Sequence, residues 1–347
     1  QVVGTNGKGS TSYFLHKILL NHGLKVGLYT KPHLCSVTER ICIKENISEK
    51  EFGDTYLELL PVFEKFSLSY FEKLTLLSLY YFIQKGLDYA IFETGLGGRN
   101  DAVTALESQT IVFTNIGIDH TEYLGNSIFD IAKEKACVIE NGQNIFSTLQ
   151  SCEAESILKE HAALYRKKIE FISKIRNCEI TQTGTSFSFE NEKYSIPMLG
   201  EHYAQNSALA IIVSKSILKE KFDLKIAQKS LESSFWKGRL EFIEYPNCKK
   251  ILLSCAHNED SIIADLKVIN TLIQKKIINE NISILFGVSR KRQSDKFIEI
   301  LKSNLNLDNL NITVTKIPPY NYPYDILKSD HSLNFIENYE EAFEKIF

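Results

Sequence analysis

Short apolar runs alternate with amphipathic stretches along almost the whole chain. Several apolar runs are continuous, which is typical of parallel strands covered on both faces, and they predict strands at 2–3, 25–29, 89–92, 111–114, 144–147, 251–254 and 282–286. Apolar residues at helical spacing predict helices at 10–21, 49–66, 71–85, 128–137, 152–165, 203–218, 226–233, 261–273 and 296–305. This alternation predicts an α/β fold, in which a mostly parallel sheet is flanked by helices.

The pattern changes at two places. The polar stretch 174–195 alternates with a period of two residues, which predicts antiparallel hairpin strands added at a sheet edge. Around Trp236-Lys237-Gly238-Arg239 the helical pattern stops and a new series of strands begins. With 347 residues, the chain is long enough for two cores. We therefore predict a first domain at 1–238 and a second, smaller Rossmann-like α/β domain at 239–347.

Composition narrows the class of protein. A net charge of −3 gives no reason to expect a nucleic-acid partner. The seven cysteines form no C-x-x-C pair, which is typical of a reduced, cytoplasmic protein. No apolar run reaches ~18 residues and no signal peptide is visible, so no membrane association is expected. Because the chain opens inside a predicted strand without a methionine, we expect native residues to precede it.

A glycine-rich turn directly follows the first predicted strand. Gly7 and Gly9 flank Lys8, and Ser10 and Thr11 begin an amphipathic helix. Glycines allow backbone N–H groups to converge on a polyphosphate, and the helix N-terminus and a lysine add positive charge. The alternative is a tight turn that binds nothing. The pattern favours a phosphate-binding loop, or P-loop, and therefore a nucleoside triphosphate.

Other polar residues follow predicted strands. Glu93 ends the strand at 89–92 and precedes a glycine-rich run. A carboxylate at the carboxyl end of a strand suits Mg²⁺. By itself it could equally be a solvated acid, and the P-loop in the same chain favours the metal. His120 lies beyond the strand at 111–114 and is either a ligand or a hydrogen-bonded loop histidine. Lys135 lies on a helix whose charges could simply form a solvated face.

Together these segments resemble the dihydrofolate synthase/folylpolyglutamate synthase family, a branch of the Mur ligase superfamily. The matching segments occur in family order at 3–11, 29–34, 39–41, 71–75, 93–99, 101–102, 118–121, 124–125, 131–136, 200–202, 205–206, 238–241 and 256–258. The combination is specific, although no single segment would be.

The resemblance implies an ATP-dependent amide ligase. A pterin or folate carboxylate, from dihydropteroate or a reduced folate, attacks the γ-phosphate of ATP, and L-glutamate then displaces phosphate from the acyl phosphate. Two other functions stay open: a degenerate homologue that binds nucleotide with weak turnover, and a Mur-type ligase for a cell-wall precursor. We expect a monomer that acts on these small molecules.

The resemblance also implies roles for individual residues. Nucleotide binding falls to Thr5, Asn6, Gly7, Lys8, Gly9, Ser10, Thr11, Asn206, Arg239 and His257. Mg²⁺ binding falls to Glu93, His120 and Ser10, and catalysis to Lys8, His120 and Lys135, the last as a carbamate. Substrate binding falls to Phe71, Thr75, Pro32 and His33. For Phe71 and Thr75, plain helix core is an equal alternative.

Three positions depart from the family pattern. Lys31 replaces a serine that ligates Mg²⁺ in the family, and a protonated lysine cannot do so. Ser254 replaces an aspartate that contacts the nucleotide. The basic cluster at 290–292 replaces an acidic loop and is either solvated or attracts glutamate or a polyglutamate tail. We therefore expect weak ATP affinity that Ser254→Asp would improve.

Overall fold

The computed structural model describes residues 1–245, 249–287, 294–305, 310–315 and 333–346. The chain divides into two compact units. The first contains Gln1–Glu179 and Gly184–Trp236, and the second contains Ile180–Thr183 and Lys237–Phe347. The domain boundary after residue 238 stays a prediction, and it lies close to this division. None of the described helices is long and apolar enough to cross a bilayer.

The first unit alternates strands and helices, largely at the predicted positions. Its elements are β1 (Val2–Val3), α1 (Lys8–Asn21), β2 (Val26–Tyr29), β3 (Ile41–Cys42), α2 (Glu49–Lys65), α3 (Tyr70–Gln84), β4 (Tyr89–Phe92), β5 (Thr110–Phe113), α4 (Thr121–Leu124), α5 (Ile128–Ala136), β6 (Asn144–Ser147), α6 (Cys152–Leu164), β7 (Ile169–Phe171), β8 (Arg176–Thr181), β9 (Gly184–Phe189), β10 (Glu192–Ile196), α7 (Glu201–Leu218) and α8 (Leu224–Glu232). The sequence pattern missed the short elements β3, β7 and α4.

The main sheet is mostly parallel, as predicted. Strands β1, β5, β6 and β7 pair in parallel, β2 pairs in parallel with β4, and β3 is antiparallel to β2. A parallel bridge between Val2 and Glu93 connects the two groups beside β1. The spatial order around β1 is therefore β2, β4, β1, β5. The strand order reverses at β1, and in open α/β sheets such a switch point is where ligands bind.

The hairpin at 174–195 forms, but the expected placement at a sheet edge is wrong. Strands β8, β9 and β10 make an antiparallel sheet of their own, and among the described residues none pairs with the main sheet. Alternate residues Phe187, Phe189, Tyr194 and Ile196 are buried in the same core cluster as α1 and α7. The strands are held through this apolar face, which explains why they need no edge partner.

Local sequence explains several helix starts. Ser48 and Ser69 each form a capping box with the glutamate three residues later, at the beginning of α2 and α3. α1 is buried on most sides, with Phe14, Ile18 and Leu19 fully covered. α1 packs against α7 and α8, so the helix that carries the P-loop lies inside the core.

The second unit contains β11 (Arg239–Tyr245), β12 (Lys249–Ser254), α9 (Glu259–Gln274), β13 (Ser283–Phe286), α10 (Ser294–Asn304), β14 (Asn311–Thr315), β15 (Asn334–Ile336) and α11 (Tyr339–Ile346). β13, β14 and β15 form a parallel sheet, consistent with the Rossmann-like expectation. β12 instead pairs antiparallel with β11. The strand series therefore begins with an antiparallel ribbon before the parallel sheet.

Candidate functional site

The glycine-rich turn is a tight loop between β1 and α1. Gly7 caps α1 with φ 85°, a left-handed conformation that favours glycine. A Cβ on Gly7 would lie 2.5 Å from Oδ1 of Asn206, so a larger residue would also clash with α7. On the other side, the backbone N–H of Thr5 donates to the carbonyl of Asn115, at 2.7 Å. The loop is therefore held between α7 and the segment after β5.

Lys8 folds back over this loop. Its ammonium donates to the backbone carbonyls of Gly4, at 3.0 Å, and Thr5, at 2.8 Å. Burial lowers the pKa of Lys8 to about 8, and the positive charge of Lys31 acts in the same direction. The charges of Glu93, Asp119 and Asp101 oppose this shift and favour the protonated form of Lys8. A cation at this loop is suited to a polyphosphate.

The hydroxyl groups at the start of α1 face different surroundings. Ser10 Oγ accepts from the Asn206 amide at 2.8 Å and donates to the Gly7 carbonyl at 3.2 Å. Thr11 is fully buried, and among the described residues its hydroxyl has no hydrogen-bond partner. The structure thus places Asn206 beside the loop, as the family pattern implies. The roles of Ser10 and Thr11 in metal and nucleotide binding stay predictions.

Glu93 follows β4 and is 5% exposed. One carboxylate oxygen, Oε2, accepts from the backbone N–H of Lys31 at 3.0 Å. The same oxygen would lie 3.2 Å from a Cβ on Gly9, which places the carboxylate against the P-loop. Among the described residues, no three His, Cys, Asp or Glu side chains form a metal cage. The role of Glu93 in Mg²⁺ binding stays a prediction.

Lys135 lies on α5 with 4% exposure. Burial lowers its pKa to about 7, and the positive charges of Lys8 and Lys31 contribute. A Cβ on Gly98 would lie 2.7 Å from the carbonyl oxygen of Glu134, so the loop after β4 packs directly on this helix. The structure therefore brings Lys135 to the P-loop site, and it is not on a solvated helix face.

Two aspartates in this site were given no role from the sequence. Asp101 is buried and accepts from the backbone N–H groups of Leu96 and Val103, and burial raises its pKa. Asp119 accepts from the backbone N–H of His120, and its charge raises the pKa of both Lys8 and Lys135. Both lie in matching segments, but sequence alone does not show that their charges reach the lysines.

His120 occupies a less enclosed position. Its backbone is left-handed, with φ 51°, and its side chain is 41% exposed. Nε2 lies 3.9 Å from Oδ2 of Asp119. The imidazole is thus accessible beside a carboxylate, and its metal-binding and catalytic roles stay predictions.

The predicted substrate-binding residues separate into different environments. The ring of Phe71 would lie 2.7 Å from a Cβ on Gly95, so it borders the loop that carries Glu93. Thr75 is buried and its hydroxyl donates back to the Phe71 carbonyl, as in ordinary helix core. Pro32 is exposed, and Nδ1 of His33 accepts from Nε of Arg40 at 3.0 Å. Phe71 also packs against the core cluster that contains Tyr29, so its substrate role and the helix-core alternative both stay open.

A separate cavity of about 350 Å³ lies on another face of α3. It is bordered mainly by aromatic and aliphatic side chains, namely Val37, Phe52, Tyr56, Tyr70, Lys73, Leu74 and Leu77. Neither Phe71 nor Thr75 lines it. The predicted substrate residues and this cavity are therefore distinct features of α3.

In the second unit, Ser254 stands where the family pattern has an aspartate, and it contacts a carboxylate from another element. The Ser254 hydroxyl donates to Oδ2 of Asp265, which is 9% exposed on α9. Burial raises the pKa of Asp265 to about 6, although the Ser254 hydrogen bond and the charge of Arg239 oppose the shift. Arg239 pairs with Ser254 in the β11–β12 ribbon. His257 is exposed, and its Nδ1 lies 2.8 Å from the Cys255 carbonyl oxygen. The basic cluster at 290–292 lies outside the described residues.

Comparisons with known proteins show which family the chain belongs to. A family model described as the Mur ligase middle domain matches residues 2–214. A Bacillus subtilis dihydrofolate synthase/folylpolyglutamate synthase is 32% identical over 323 residues, covering 87% of this chain and 73% of the relative. A relative of the same name from Buchnera aphidicola is 32% identical, covering 99% of this chain and 81% of its own length.

Solved structures show the same fold. Mycobacterium tuberculosis folylpolyglutamate synthase, complexed with ADP and AMPPCP, matches with a TM-score of 0.85 and 24% identity, covering 99% of this chain and 82% of that one. The apo form of the L. casei enzyme matches with a TM-score of 0.81 and 23% identity, covering 99% and 83%. At these identities the likeness establishes the architecture of the chain.

Proposed function

The chain belongs to the Mur ligase family and is an ATP-dependent ligase of its dihydrofolate synthase/folylpolyglutamate synthase group, and from this premise we propose which residues carry the reaction. The observation that supports the assignment is a cluster of charged side chains near β1, where the strand order of the main sheet reverses. There Lys8 covers the P-loop, Glu93 contacts it, and Lys135 lies close enough for its pKa to respond to Lys8. Phosphoryl transfer needs this combination of cations and a metal-binding carboxylate.

The first step activates the substrate. An oxygen of the pterin or folate carboxylate attacks the γ-phosphorus of ATP, the bond to the β-phosphate oxygen breaks, and ADP leaves. The loop N–H groups and Lys8 hold the polyphosphate and compensate the charge of two approaching anions. Glu93, Ser10 and His120 are the residues that would hold Mg²⁺, which supplies further charge neutralisation when bound. The M. tuberculosis relative, which holds ADP and AMPPCP, supports ATP as the nucleotide.

The second step forms the amide. The neutral amine of L-glutamate attacks the acyl carbon, the bond from that carbon to the phosphate oxygen breaks, and phosphate departs as the amine loses a proton. The acyl phosphate must be kept from water until then. Phe71, which borders the Gly95 loop, is the apolar group placed to shield it and to contact the substrate.

The names of the relatives indicate the chemical class of the carboxylate substrate to which glutamate is added. These names include both dihydrofolate synthase and folylpolyglutamate synthase activities. We propose dihydropteroate, a reduced folate, or both, as the carboxylate substrate. A cell-wall precursor is a less favoured alternative, because the curated relatives quoted above have folate-type names.

Location and assembly are further parts of the proposal. All six described cysteines are free thiols, which favours the reducing cytoplasm. The two-step reaction requires no group from a second chain in the roles assigned above. We therefore propose a cytoplasmic enzyme that acts as a monomer.

The test is glutamate-dependent release of ADP from ATP, measured separately with dihydropteroate and with tetrahydrofolate. Turnover with either acceptor, and formation of the corresponding glutamyl amide by mass spectrometry, is the expected result. Tight nucleotide binding without turnover would support the degenerate-homologue alternative. Turnover only with a peptidoglycan precursor would replace the folate assignment.

A further inference from the structure

Lys31 is a charged residue at the site that the mechanism above does not use. It lies just after β2, and its backbone N–H binds the Glu93 carboxylate at 3.0 Å. Its ammonium reaches the opposite loop and donates to the backbone carbonyl of Gly95. One residue thus contacts both the metal-binding carboxylate and the loop after β4.

The positive charge of Lys31 affects the pKa values of the other two lysines of the site. It lowers the pKa of Lys8 and of Lys135, and the charge of Lys8 also lowers the pKa of Lys135. Three lysine side chains therefore share one region at the end of the sheet. Lys31 and Lys8 donate to neutral backbone carbonyls, and the carboxylates of Glu93, Asp101 and Asp119 offset only part of the positive charge of the three lysines, because burial and the neighbouring lysines still lower the pKa of Lys8 and of Lys135.

We propose that Lys31 is a phosphate-binding residue, whose ammonium leaves the Gly95 carbonyl and binds the terminal phosphate of ATP and then the acyl phosphate. This proposal rests on the proposed function and adds a residue to it. A phosphate oxygen is anionic, and a charge-assisted hydrogen bond is roughly twice as strong as one to a neutral carbonyl. The exchange of partners is therefore favourable when the nucleotide arrives.

The geometry predicts selectivity for the third phosphate. Lys8 belongs to the P-loop itself, whereas Lys31 comes from the segment after β2, which is separated from β1 by β4, and lies next to Glu93. A cation in that position interacts with a triphosphate more than with a diphosphate. The simpler alternative is that Lys31 is only a structural link between the loops after β2 and β4.

Two substitutions separate these roles. Lys31→Gln keeps a donor for the Gly95 carbonyl but removes the charge, and Lys31→Arg keeps the charge. The affinities of ADP and the nonhydrolysable analogue AMPPCP are measured by calorimetry at fixed Mg²⁺ and again in EDTA. For Lys31→Gln we expect a loss of roughly ten- to hundredfold in AMPPCP affinity, a change of less than about threefold for ADP, and a greater dependence of AMPPCP binding on Mg²⁺. Lys31→Arg should retain most of the preference for AMPPCP.

The matched control is Lys25→Gln, because Lys25 is exposed at the opposite end of the same strand. Lys8→Met tests the proposed function separately, since it should weaken both nucleotides. If Lys8→Met weakens binding and Lys31→Gln leaves the AMPPCP-to-ADP ratio unchanged, Lys31 is only a structural link and the proposal is overturned. If Lys8→Met leaves both affinities unchanged, the P-loop assignment itself fails.

Discussion

The side-chain amide of Asn206 donates a buried hydrogen bond of 2.8 Å to the hydroxyl of Ser10. This contact joins α7 to the first turn of α1, across 196 positions of sequence. The same amide also lies where a side chain on Gly7 would be. Asn206 therefore holds the P-loop from α7.

Asn206→Ala should loosen the loop, and Asn206→Asp should be worse for nucleotide binding. Loss of a buried hydrogen bond costs roughly 1–3 kcal/mol, and a carboxylate beside the loop would also repel the polyphosphate. We expect the Kd for ATP to increase in the order wild type, Asn206→Ala, Asn206→Asp. Gln228→Ala removes a half-buried amide of α8 that donates to the Lys193 carbonyl, and it serves as the control. Equal effects of Ala and Asp would argue against proximity to the phosphates.

Lys8→Ala should abolish turnover while leaving the fold intact. Among the described residues, the Lys8 ammonium donates only to carbonyls of its own loop, so no hydrogen bond between elements is lost. Loss of a cation that stabilises the transition state is worth roughly 3–4 kcal/mol, or a factor of hundreds in rate. ADP release and the melting temperature are the two measurements. Turnover near that of the wild type would contradict the P-loop assignment.

Nucleotide affinity should also depend on pH through Lys8. Its pKa in the free protein is lowered to about 8, and bound polyphosphate favours the protonated form. The nucleotide affinity is therefore highest below pH 8. Above pH 8 the Kd increases, by up to about tenfold per pH unit. Lys8→Arg, which stays charged, should give a flat profile. An equally steep profile for Lys8→Arg would assign the titration to another group.

Lys135 should be carbamylated. Burial and two neighbouring cations lower its pKa to about 7, so at pH 8 most of the side chain is a neutral amine. The amine nitrogen attacks CO₂, a proton is released, and the product is an anionic oxygen ligand. We expect a carbamate signal with ¹³C-bicarbonate by NMR, activity that falls on CO₂ depletion, and partial rescue of Lys135→Ala by a small carboxylate. The exposed neighbour Lys133 provides the control, as Lys133→Ala should retain the signal.

The expectation for Ser254→Asp changes with the structure. The Ser254 hydroxyl already binds the buried Asp265 carboxylate, so a second carboxylate there would face the first. Two like charges in contact disfavour ionisation of both. We expect Ser254→Asp alone to lower the melting temperature without improving ATP affinity. Ser254→Asp combined with Asp265→Ser should lower the KM for ATP, by up to about tenfold if ~1.4 kcal/mol is gained.

Asp265 should also make stability depend on pH. Its pKa is raised from 3.8 to about 6 by burial, so the folded state binds a proton more tightly than the unfolded state. The free energy of unfolding therefore falls as the pH rises from about 4 to about 6 and is level above that. Asp265→Asn should remove this slope and stabilise the protein at pH 7 by up to about 3 kcal/mol. Urea unfolding at several pH values measures it, with the exposed Asp260→Asn as control.

Much of the architecture could be predicted because its causes are local. Alternation of apolar runs and helical spacing placed β1, β4 and β6 and the helices α1 and α6, since periodicity within a few residues decides which face of an element is buried. The capping serines of α2 and α3 act over three positions. The glycine pattern around Lys8 indicated the P-loop for the same local reason. The left-handed φ at Gly7 depends on the residue type at that one position.

The sequence by itself therefore determined the family, the parallel sheet and the residues at the strand ends. Only the tertiary structure decided which charges meet. Asp265 comes to Ser254 from another element, and Lys31 reaches Glu93 and Gly95 across 62 and 64 positions. The low pKa of Lys135 depends on burial and on cations from two other loops. Such contacts depend on how elements pack against one another. Packing also decided the position of the separate sheet of β8, β9 and β10, because its apolar face is buried against α1 and α7, which no local pattern specifies.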